Sequence, residues 1–493
     1  MATPPSPTPE LCTALIVGTG FSGLAMAHAL KRAGIDDIVL LERASAVGGT
    51  WRDNRYPGCA CDVPSHLYSL SVAPNAAWSH RYARQPEIRA YLEGFTVDED
   101  LARHIRFDAD VDHARFDAQT GRWTVTTTDG RRFDARFFIA GVGGLKDPRY
   151  PDIPGMDRFE GTALHSARWD PDVDLAGKRV AVVGTGASAI QLVPALAPIA
   201  RQLTVFQRTP AWVLPRDDRP ISVLQQALLG GIPGLMPLVR LYTYLQMESR
   251  YFAVFRRRSL VRRGIEALVR RHIRQHVPDA ALAERLLPSY AMGCKRILVS
   301  DDWYPAMARD NVDLMDQSVV EVLPHGLRTA DGQEHPVDAI VWCTGFLVDE
   351  PLGEMKIEGL DGQDLLTVWD GRPKGWLGIT MAGFPNAFLL LGPNTALGHN
   401  SVVIMIEAQV RYIVQAIEWT RKLSETAWID VDSAAVDRFV DDIDRAHSAQ
   451  VWQSGCQSWY LNAAGQNFTL WPGSTLSYMW ATRRFDPLVY RVG

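Results

Sequence analysis

Short apolar runs and amphipathic stretches alternate along the chain in an order that occurs twice. The first copy comprises a predicted strand at residues 14–17, a helix at 24–32 and a strand at 38–41. The second comprises a strand at residues 179–183, a helix at 187–196 and a strand at 203–207. Strand–helix–strand order is typical of a parallel sheet. The pattern therefore predicts an α/β fold with two such units.

The remaining segments have other patterns. Residues 105–140 alternate in polarity and predict a hairpin that turns at Asp129-Gly130. Residues 211–293 lack strand signals and predict a helical insertion, with breakers at Gly230-Gly231 and Pro233-Gly234. The last thirty residues are rich in aromatic residues and glycine and predict irregular structure. Two further strands and one long helix are predicted at residues 338–343, 387–391 and 401–419.

Length and charge restrict the class of protein. A chain of 493 residues exceeds one ordinary core, so two or three domains are expected. The formal net charge of -5 gives no general attraction to nucleic acid. Residues 1–10 lack the basic and apolar regions of a signal peptide and are interpreted as a disordered leader, and no apolar run is long enough to span a membrane. A cytoplasmic protein is expected.

The cysteines predict neither a disulfide framework nor a metal site. The six are scattered through the chain, and Cys59-x-Cys61 lacks both a second pair and a nearby histidine. Reduced thiols are therefore expected.

A glycine-rich turn joins the first predicted strand to its helix. Its sequence is Gly18-Thr19-Gly20-Phe21-Ser22-Gly23. In such a turn the first glycine allows a tight bend, the second lets a pyrophosphate approach the backbone, and the third permits close packing of the helix. Glu42 ends the next strand, nineteen residues after Gly23, where a carboxylate can accept hydrogen bonds from ribose hydroxyls. The unit predicts a dinucleotide site.

The second unit carries a related turn, Gly184-Thr185-Gly186-Ala187-Ser188-Ala189. Alanine is an allowed third residue. The acid is missing here, because the following strand leads into Arg208 and Thr209. A guanidinium matches a 2′-phosphate, which a carboxylate would repel, so this site favours NADP over NAD. The alternative is a surface arginine that merely ends a strand.

Two dinucleotide sites in one chain imply two cofactors that meet. FAD at the site with the acid and NADPH at the second site is the simplest assignment. The segment Gly48-Gly49-Thr50-Trp51 follows Glu42 closely. Its glycines are interpreted as allowing the backbone to pass close to FAD. The alternative is an exposed surface loop.

Three stretches resemble one enzyme family. Residues 159–170, FEGTALHSARWD, match F-x-G-x-x-x-H-x-x-x-W-(P/D), the fingerprint of Baeyer–Villiger monooxygenases. Residues 49–62, from Gly49-Thr50-Trp51 through Tyr56-Pro57-Gly58 to Asp62, resemble the family's second signature. Residues 338–346 resemble D-x-x-x-x-A-T-G-(F/Y) of the wider flavin monooxygenase group, with Cys343 in place of alanine. The resemblance covers residues 14 to about 400, and the aromatic tail fits less closely.

The resemblance implies roles for individual residues. Arg296, in Lys295-Arg296 after the insertion, resembles the family's catalytic arginine, which stabilises an anionic C4a-peroxyflavin and the oxyanion formed on the ketone. Asp62 resembles the carboxylate that orients it. Lys295 resembles a second ligand of the 2′-phosphate. The FAD site would comprise Gly18, Gly20, Phe21, Gly23, Glu42, Arg43, Gly49, Thr50, Trp51, Asp62, Val63, Tyr68 and Val111. The NADPH site would comprise Gly184, Thr185, Gly186, Ala187, Ser188, Arg208, Thr209 and Lys295.

The resemblance also divides the chain. Residues 1–146 and 347–493 would bind FAD, residues 147–210 and 294–346 would bind NADP, and residues 211–293 would be the insertion. His165 would belong to the linker between the nucleotide domains and is not assigned as an acid or base. The insertion contains nine arginines from Arg250 to Arg274. They are interpreted as part of a solvated helix face. Contact of these arginines with an anionic membrane surface is an alternative that is left open.

The implied reaction is the insertion of one oxygen atom from O₂ next to a ketone carbonyl, giving an ester or lactone. A flavin monooxygenase that oxygenates nitrogen or sulfur is the alternative enzyme, and Arg296 and Trp169-Asp170 favour the first. A disulfide reductase is disfavoured because no Cys-x₄-Cys pair follows the first helix. A redox-inactive FAD-binding protein is the alternative from another class. The implied partners are a small-molecule ketone and O₂, for a monomer or weak homo-oligomer.

Overall fold

The computed structural model describes residues 8–250, 254–255, 259–456 and 458–493. Residues 1–7 of the predicted leader and the arginines 256–258 lie outside this range. Glu10, the last residue of that leader, already begins the first strand, so the leader is shorter than predicted.

The strands, in chain order, are β1 (Glu10–Val17), β2 (Ile38–Leu41), β3 (Ile105–Arg106), β4 (Val111–Asp117), β5 (Arg122–Thr127), β6 (Arg132–Ala140), β7 (Thr162–His165), β8 (Arg179–Val183), β9 (Gln202–Phe206), β10 (Val213–Leu214), β11 (Leu298–Val299), β12 (Val312–Met315), β13 (Val319–Leu323), β14 (Gly326–Thr329), β15 (Glu334–Pro336), β16 (Ala339–Trp342), β17 (Lys356–Glu358), β18 (Ala387–Leu389), β19 (Ile429–Val431) and β20 (Tyr490–Val492).

The α-helices are α1 (Phe21–Arg32), α2 (Thr50–Asp53), α3 (Gln85–Asp98), α4 (Ala189–Leu196), α5 (Val223–Gly231), α6 (Leu235–Arg250), α7 (Leu260–His276), α8 (Ala280–Arg285), α9 (Trp303–Met307), α10 (Leu365–Trp369), α11 (Val402–Thr420), α12 (Ser433–His447) and α13 (Thr475–Ala481). Single 3₁₀ turns occur at Ala102–His104, Met156–Arg158, Leu360–Gly362, Val451–Gln453 and Pro487–Val489. None of the helices in the described part of the chain has the length and hydropathy that a bilayer span requires.

Two sheets organise the fold. The larger has the order β17-β4-β5-β6-β1-β2-β3, with β18 added on β6. Its β6-β1-β2-β3 part is parallel, and β4-β5-β6 is antiparallel around the predicted turn. The second sheet, β12-β9-β8-β16-β7, is parallel throughout. The predicted α/β fold with two strand–helix–strand units is therefore observed.

The second sheet is an insertion within the first. Strands from residues 10–140 and 356–389 build the larger sheet, and strands from residues 162–342 build the smaller one. Two inner strands, β2 in the larger sheet and β16 in the smaller, are apolar and buried at every position, as expected where helices cover both faces of a parallel sheet. Helix α1 packs on α11, whose buried face extends from Val403 to Thr420.

Two predictions of local structure need correction. The segment 211–293 is mainly helical, as α5 to α8, but it also contains β10, which pairs with β11 beyond the insertion. The last thirty residues are not wholly irregular. They contain α13, capped by the side chain of Ser474, and β20, which pairs with β19. The partner strands of β10 and β20 are distant in sequence, so these two-residue and three-residue strands give no local signal.

Candidate active site

The first glycine turn lies between β1 and α1, and two of its glycines are required by the packing of the chain itself. Gly18 has φ of +98°, and a Cβ on it would lie 2.7 Å from the carbonyl oxygen of Gly141. A Cβ on Gly23 would lie 1.8 Å from the carbonyl oxygen of Gly18. A side chain at Gly18 would push the turn away from residues 141–142, and one at Gly23 would push α1 away from the turn.

Gly20, in contrast, is not required by packing. It is the N-cap of α1 with an extended backbone, φ of -81°, and no side chain caps the helix. A Cβ on it would meet only the Cα atom of Gly49, at 3.7 Å. A side chain here would fill the space over the helix N-terminus, where a phosphate binds. The glycine at position 20 is therefore explained by the space that a ligand needs rather than by the packing of the chain.

The second turn has the same arrangement. A Cβ on Gly184, whose φ is +112°, would lie 2.5 Å from the carbonyl oxygen of Cys343. A Cβ on Gly186 would have no neighbour within 4 Å among the described residues, and both Gly186 and Ala187 are exposed. Thr185 donates a hydrogen bond to the carbonyl oxygen of Thr209 at 3.1 Å. The second turn is therefore also open to a phosphate at its middle glycine.

Glu42 stabilises the first glycine turn by hydrogen bonds. Its Oε2 accepts hydrogen bonds from the backbone N–H of Thr19 at 3.1 Å and from the Thr19 hydroxyl at 2.6 Å. Its Oε1 accepts from the N–H of Ala44 at 3.0 Å and pairs with Arg52 at 2.7 Å. The carboxylate is 4% exposed, and these four donors fill its acceptor capacity. Ribose binding by Glu42 stays a prediction and requires that one of these donors be displaced.

The predicted aromatic residues beside the turn form one wall. The ring centroids of Phe21 and Tyr68 lie 5.1 Å apart, those of Trp51 and Tyr68 lie 5.6 Å apart, and Trp51 Nε1 donates to the Tyr68 hydroxyl at 3.1 Å. The N–H of Gly48 donates to the Thr19 carbonyl at 3.0 Å, which holds the Gly48–Trp51 segment against the glycine turn. Such a wall beside a phosphate site suits a flat ring.

Three other predicted FAD residues have contacts within the chain. Arg43 donates to Asp147 at 3.2 Å. The N–H of Val63 donates to the Cys61 sulfur at 3.3 Å. Val111 begins β4 and is buried. None of these contacts tests the assigned role, which stays a prediction.

Arg208 and Lys295 form a basic pair near the second turn. Arg208 is exposed at the end of β9, and Lys295 is half-buried with its ammonium 5.1 Å from the centroid of the Tyr290 ring. Burial, with a smaller effect of the Arg208 charge, lowers the pKa of Lys295. In the described part of the chain no carboxylate forms an ion pair with either residue. Two adjacent cations without a counter-ion favour the binding of an anion.

Arg296, the next residue, has the opposite environment. Its guanidinium donates to Asp62 with Nη2 and Oδ2 2.5 Å apart, and the two side chains keep 33% and 28% of their exposure. The Asp62 charge is the largest cause that raises the pKa of Arg296 above its ordinary value. The structure thus brings together the two residues predicted to be catalytic, with a permanent cation facing an accessible space.

Residues 56–60 join the two nucleotide units. The Tyr56 hydroxyl donates to Gln191 Oε1 on α4 at 2.9 Å, and Gln191 Nε2 donates to the Ala60 carbonyl at 3.0 Å. Gly58 has φ of +80°, and a Cβ on it would lie 2.4 Å from the Gln191 carbonyl oxygen. The sequence did not predict Gln191, because a single glutamine on an apolar helix carries no signal of its own.

A disulfide joins Cys294, two residues before Arg296, to Cys456, eight residues before the aromatic tail, with the Cα atoms 6.2 Å apart. The expectation of reduced thiols is therefore wrong for this pair. It holds for the remaining four cysteines, which are free and buried: Cys12, Cys59, Cys61 and Cys343. The sequence separation of 162 between the paired cysteines explains why no spacing rule revealed them.

The fingerprint residues have mainly packing contacts. Gly161 lies so close to β16 that a Cβ would be 2.5 Å from the Asp338 carbonyl oxygen. His165 ends β7 and is buried, its Nδ1 accepts from the N–H of Ala167 at 3.0 Å, and burial lowers its pKa to about 4. A neutral imidazole between the Tyr150 and Phe346 rings agrees with a linker position rather than acid–base chemistry.

The comparisons with known proteins identify the family. A sequence model described as flavin-binding monooxygenase-like matches residues 13–366. A Baeyer–Villiger monooxygenase of Streptomyces coelicolor is 45% identical over 479 residues, covering 97% of this chain and 92% of the relative. The chain belongs to the Baeyer–Villiger monooxygenase family.

Solved structures of similar proteins agree with this membership. A steroid monooxygenase bound to NADP is 32% identical, with a TM-score of 0.86 and coverage of 96% of this chain and 97% of that one. A complex of OTEMO with FAD and NADP is 26% identical, with a TM-score of 0.88 over 99% and 100% of the two chains. The Baeyer–Villiger monooxygenase family thus accounts for nearly the whole chain, including the aromatic tail.

Gly20→Val is expected to fold but to retain little FAD, because the added side chain meets only Gly49 and fills the phosphate space. A loss of about 1.4 kcal/mol or more would weaken binding at least about tenfold. The measurement is the flavin absorbance per chain of the purified protein. Gly94→Val, in exposed open space on α3, is the matched control and should stay yellow. A folded, fully yellow Gly20→Val protein would remove the pyrophosphate assignment.

Arg208→Ala is expected to raise KM for NADPH about 10- to 100-fold, since one charge-assisted hydrogen bond contributes about 1.5–3 kcal/mol. KM for NADH should change little, because NADH lacks the 2′-phosphate. Steady-state kinetics with both cofactors check this, and exposed Arg201→Ala on the same sheet is the control. Equal use of both cofactors by the unmodified enzyme would contradict the assignment.

Proposed function

We propose that Arg296, oriented by Asp62, is the catalytic cation of a Baeyer–Villiger reaction that converts a small-molecule ketone into an ester or lactone. The observation that carries the proposal is the ion pair of these two residues, whose guanidinium stays partly accessible. A permanent cation fixed at an open face is suited to an anion that forms during the reaction.

The enzyme is an NADPH- and O₂-dependent flavin monooxygenase, and FAD and NADPH are its cofactors. Bound FAD, reduced by NADPH, supplies the activation of O₂. The first glycine turn with the wall of Phe21, Trp51 and Tyr68 would hold FAD, and the second turn with Arg208 and Lys295 would hold NADPH. The open space at Gly20 and Gly186 supports both assignments.

The proposed domains follow the two sheets. Residues 1–146 and 347–493 would form the FAD domain, and residues 147–210 and 294–346 the NADP domain, with 211–293 as the helical insertion. Each sheet takes its strands from both of the chain segments that are assigned to its domain, which supports this division.

The residues around Arg296 explain how it could act. Negative charge develops on the carbonyl oxygen of the ketone when a nucleophile adds to its carbon. The Arg296 guanidinium would stabilise that charge, and its planar donors give it a defined direction. Asp62 would fix this direction without touching the substrate. Oxygenation of an amine or sulfide creates no such oxyanion, so the fixed pair favours the ketone reaction.

The proposed partners are a small-molecule ketone and O₂. The cytoplasm, where NADPH is available, is the proposed location, and a monomer or weak homo-oligomer is the proposed state.

Arg296→Ala is expected to accept hydride from NADPH but to form no ester. Hydride transfer does not need this cation, whereas loss of one preorganised electrostatic donor typically lowers the rate about 10²–10³-fold. The reducing equivalents should then appear as hydrogen peroxide. NADPH oxidation, peroxide release and ester formation are measured in one reaction with a panel of ketones.

Asp62→Ala should show a milder form of this defect, because it only orients the arginine. Arg445→Ala, at an exposed position on α12, is the matched control and should behave like the unmodified enzyme. Ester formation by Arg296→Ala at the unmodified rate would place the catalytic cation elsewhere.

A further inference from the structure

Helices α5 and α6 expose a stripe of large apolar side chains. On α6 these are Leu238, Leu241, Tyr242 and Leu245, which are 63%, 51%, 69% and 57% exposed. Their spacing of three and four residues places them on one face of the helix. Val223 and Leu224 of α5 are exposed to 80% and 69%. An apolar face of this kind usually marks an interaction site.

The same segment is strongly basic. Residues 221–276 contain ten arginines and only two acids, Glu248 and Glu266, a formal charge of +8 in a chain of -5. Glu248 is buried, where it accepts hydrogen bonds from Asn400 and Thr475. Exposed cations on α7 include Arg263, Arg271 and Arg274, beside the exposed apolar residues Leu260, Val261 and Leu268.

We propose that the exposed apolar and basic residues of α5, α6 and α7 named above, here called the insertion face, dock on an anionic lipid bilayer. Exposed leucines can enter the boundary between headgroups and acyl chains, while arginines bind the headgroup phosphates. Charge argues against a second copy of the chain as the occupant, because each copy of this segment contains ten arginines and two acids, and two such segments would repel each other.

Co-sedimentation of the FAD-loaded enzyme with vesicles tests this proposal. Binding to equimolar phosphatidylcholine and phosphatidylglycerol vesicles should exceed binding to pure phosphatidylcholine at least about tenfold and should fall in high salt, since each arginine near the surface contributes about fivefold. Leu241→Glu/Leu245→Glu and Arg263→Glu/Arg271→Glu should both lose binding. Leu488→Glu, at an apolar position that is 92% exposed outside this face, is the control and should bind normally.

Bound flavin and circular dichroism establish that each variant is folded. The proposal is overturned if the unmodified enzyme ignores anionic vesicles or if Leu241→Glu/Leu245→Glu binds them equally. A dimer that this double variant dissociates would also overturn it and would show a contact between copies.

A second site concerns Tyr460, which lies just before the aromatic tail. Its side chain is fully buried, yet its hydroxyl has no hydrogen-bond partner among the described residues. It interacts electrostatically with both Arg296 and Asp62, and burial raises its pKa to about 12, so the hydroxyl stays protonated. The Cys294–Cys456 disulfide links the segment that contains Tyr460 to the segment that contains Arg296.

An unpaired buried hydroxyl destabilises the fold, and phenylalanine would fill the same space without that cost. We infer that a bound ketone reaches the Tyr460 hydroxyl, which is closed to solvent in this structure, and that the hydroxyl then donates a hydrogen bond to the carbonyl oxygen of the ketone, together with Arg296. This inference rests on the proposed function. It makes Tyr460 a further catalytic residue.

Tyr460→Phe separates this role from a structural one. The variant should be at least as stable as the unmodified protein and should be reduced by NADPH at the same rate without oxygen. Its kcat/KM for ketone should fall about 10- to 100-fold with release of peroxide. Tyr478→Phe is the matched control, because the Tyr478 hydroxyl donates to Leu377 at 2.7 Å, and it should lose stability but keep its coupling.

Unchanged ester formation by Tyr460→Phe, or a loss of stability equal to that of Tyr478→Phe, would overturn the inference. If Arg296→Ala still abolishes the ester, the proposed function stands without Tyr460.

Discussion

The close approach of residues 56–60 to helix α4 is the constraint on which the site depends. Gly58 contacts the backbone of α4 at a distance that excludes a side chain, and Gln191 bonds to Tyr56 and to Ala60. These contacts attach the segment that follows the first glycine turn to the helix that follows the second. Asp62 lies two residues beyond this contact. The position of the proposed catalytic pair is therefore set by the packing between the two nucleotide units.

Local patterns were sufficient to predict the framework. Each strand–helix–strand unit is encoded by contiguous apolar runs and a glycine turn, and β8 has the predicted bounds. The resemblance added Arg296 and Asp62, which no spacing rule could have brought together across 234 residues. The packing around the glycines also matches the distinct roles that the motif predicts, since a Cβ on Gly18 or Gly23 would clash with the chain, whereas Gly20 borders open space.

Features that depend on distant partners were not predictable. Gln191, the Cys294–Cys456 disulfide and the unpaired hydroxyl of Tyr460 each acquire meaning only when remote segments meet. The short strands β10 and β20 are likewise stabilised by neighbours rather than by their own composition. Glu42 is a different case, because it lies where the sequence predicts it, at the end of β2. Its carboxylate oxygens, however, already accept hydrogen bonds from Thr19 and Ala44 and pair with Arg52.

Lys295 and Arg296 are adjacent in the sequence, but their electrostatic environments differ. Lys295 lies near Arg208, without a carboxylate partner among the described residues, and the lowering of its pKa reflects burial and like charge. A phosphate bound here would offset both effects by stabilising the charged ammonium, so this side favours an anion. Arg296 is already neutralised in part by Asp62, which raises its pKa and fixes its direction. A partly compensated cation binds a resting anion less strongly but can still stabilise charge that appears briefly. The single carboxylate of Asp62 is thus the difference in environment on which the proposed roles of Lys295 in binding and of Arg296 in catalysis rest.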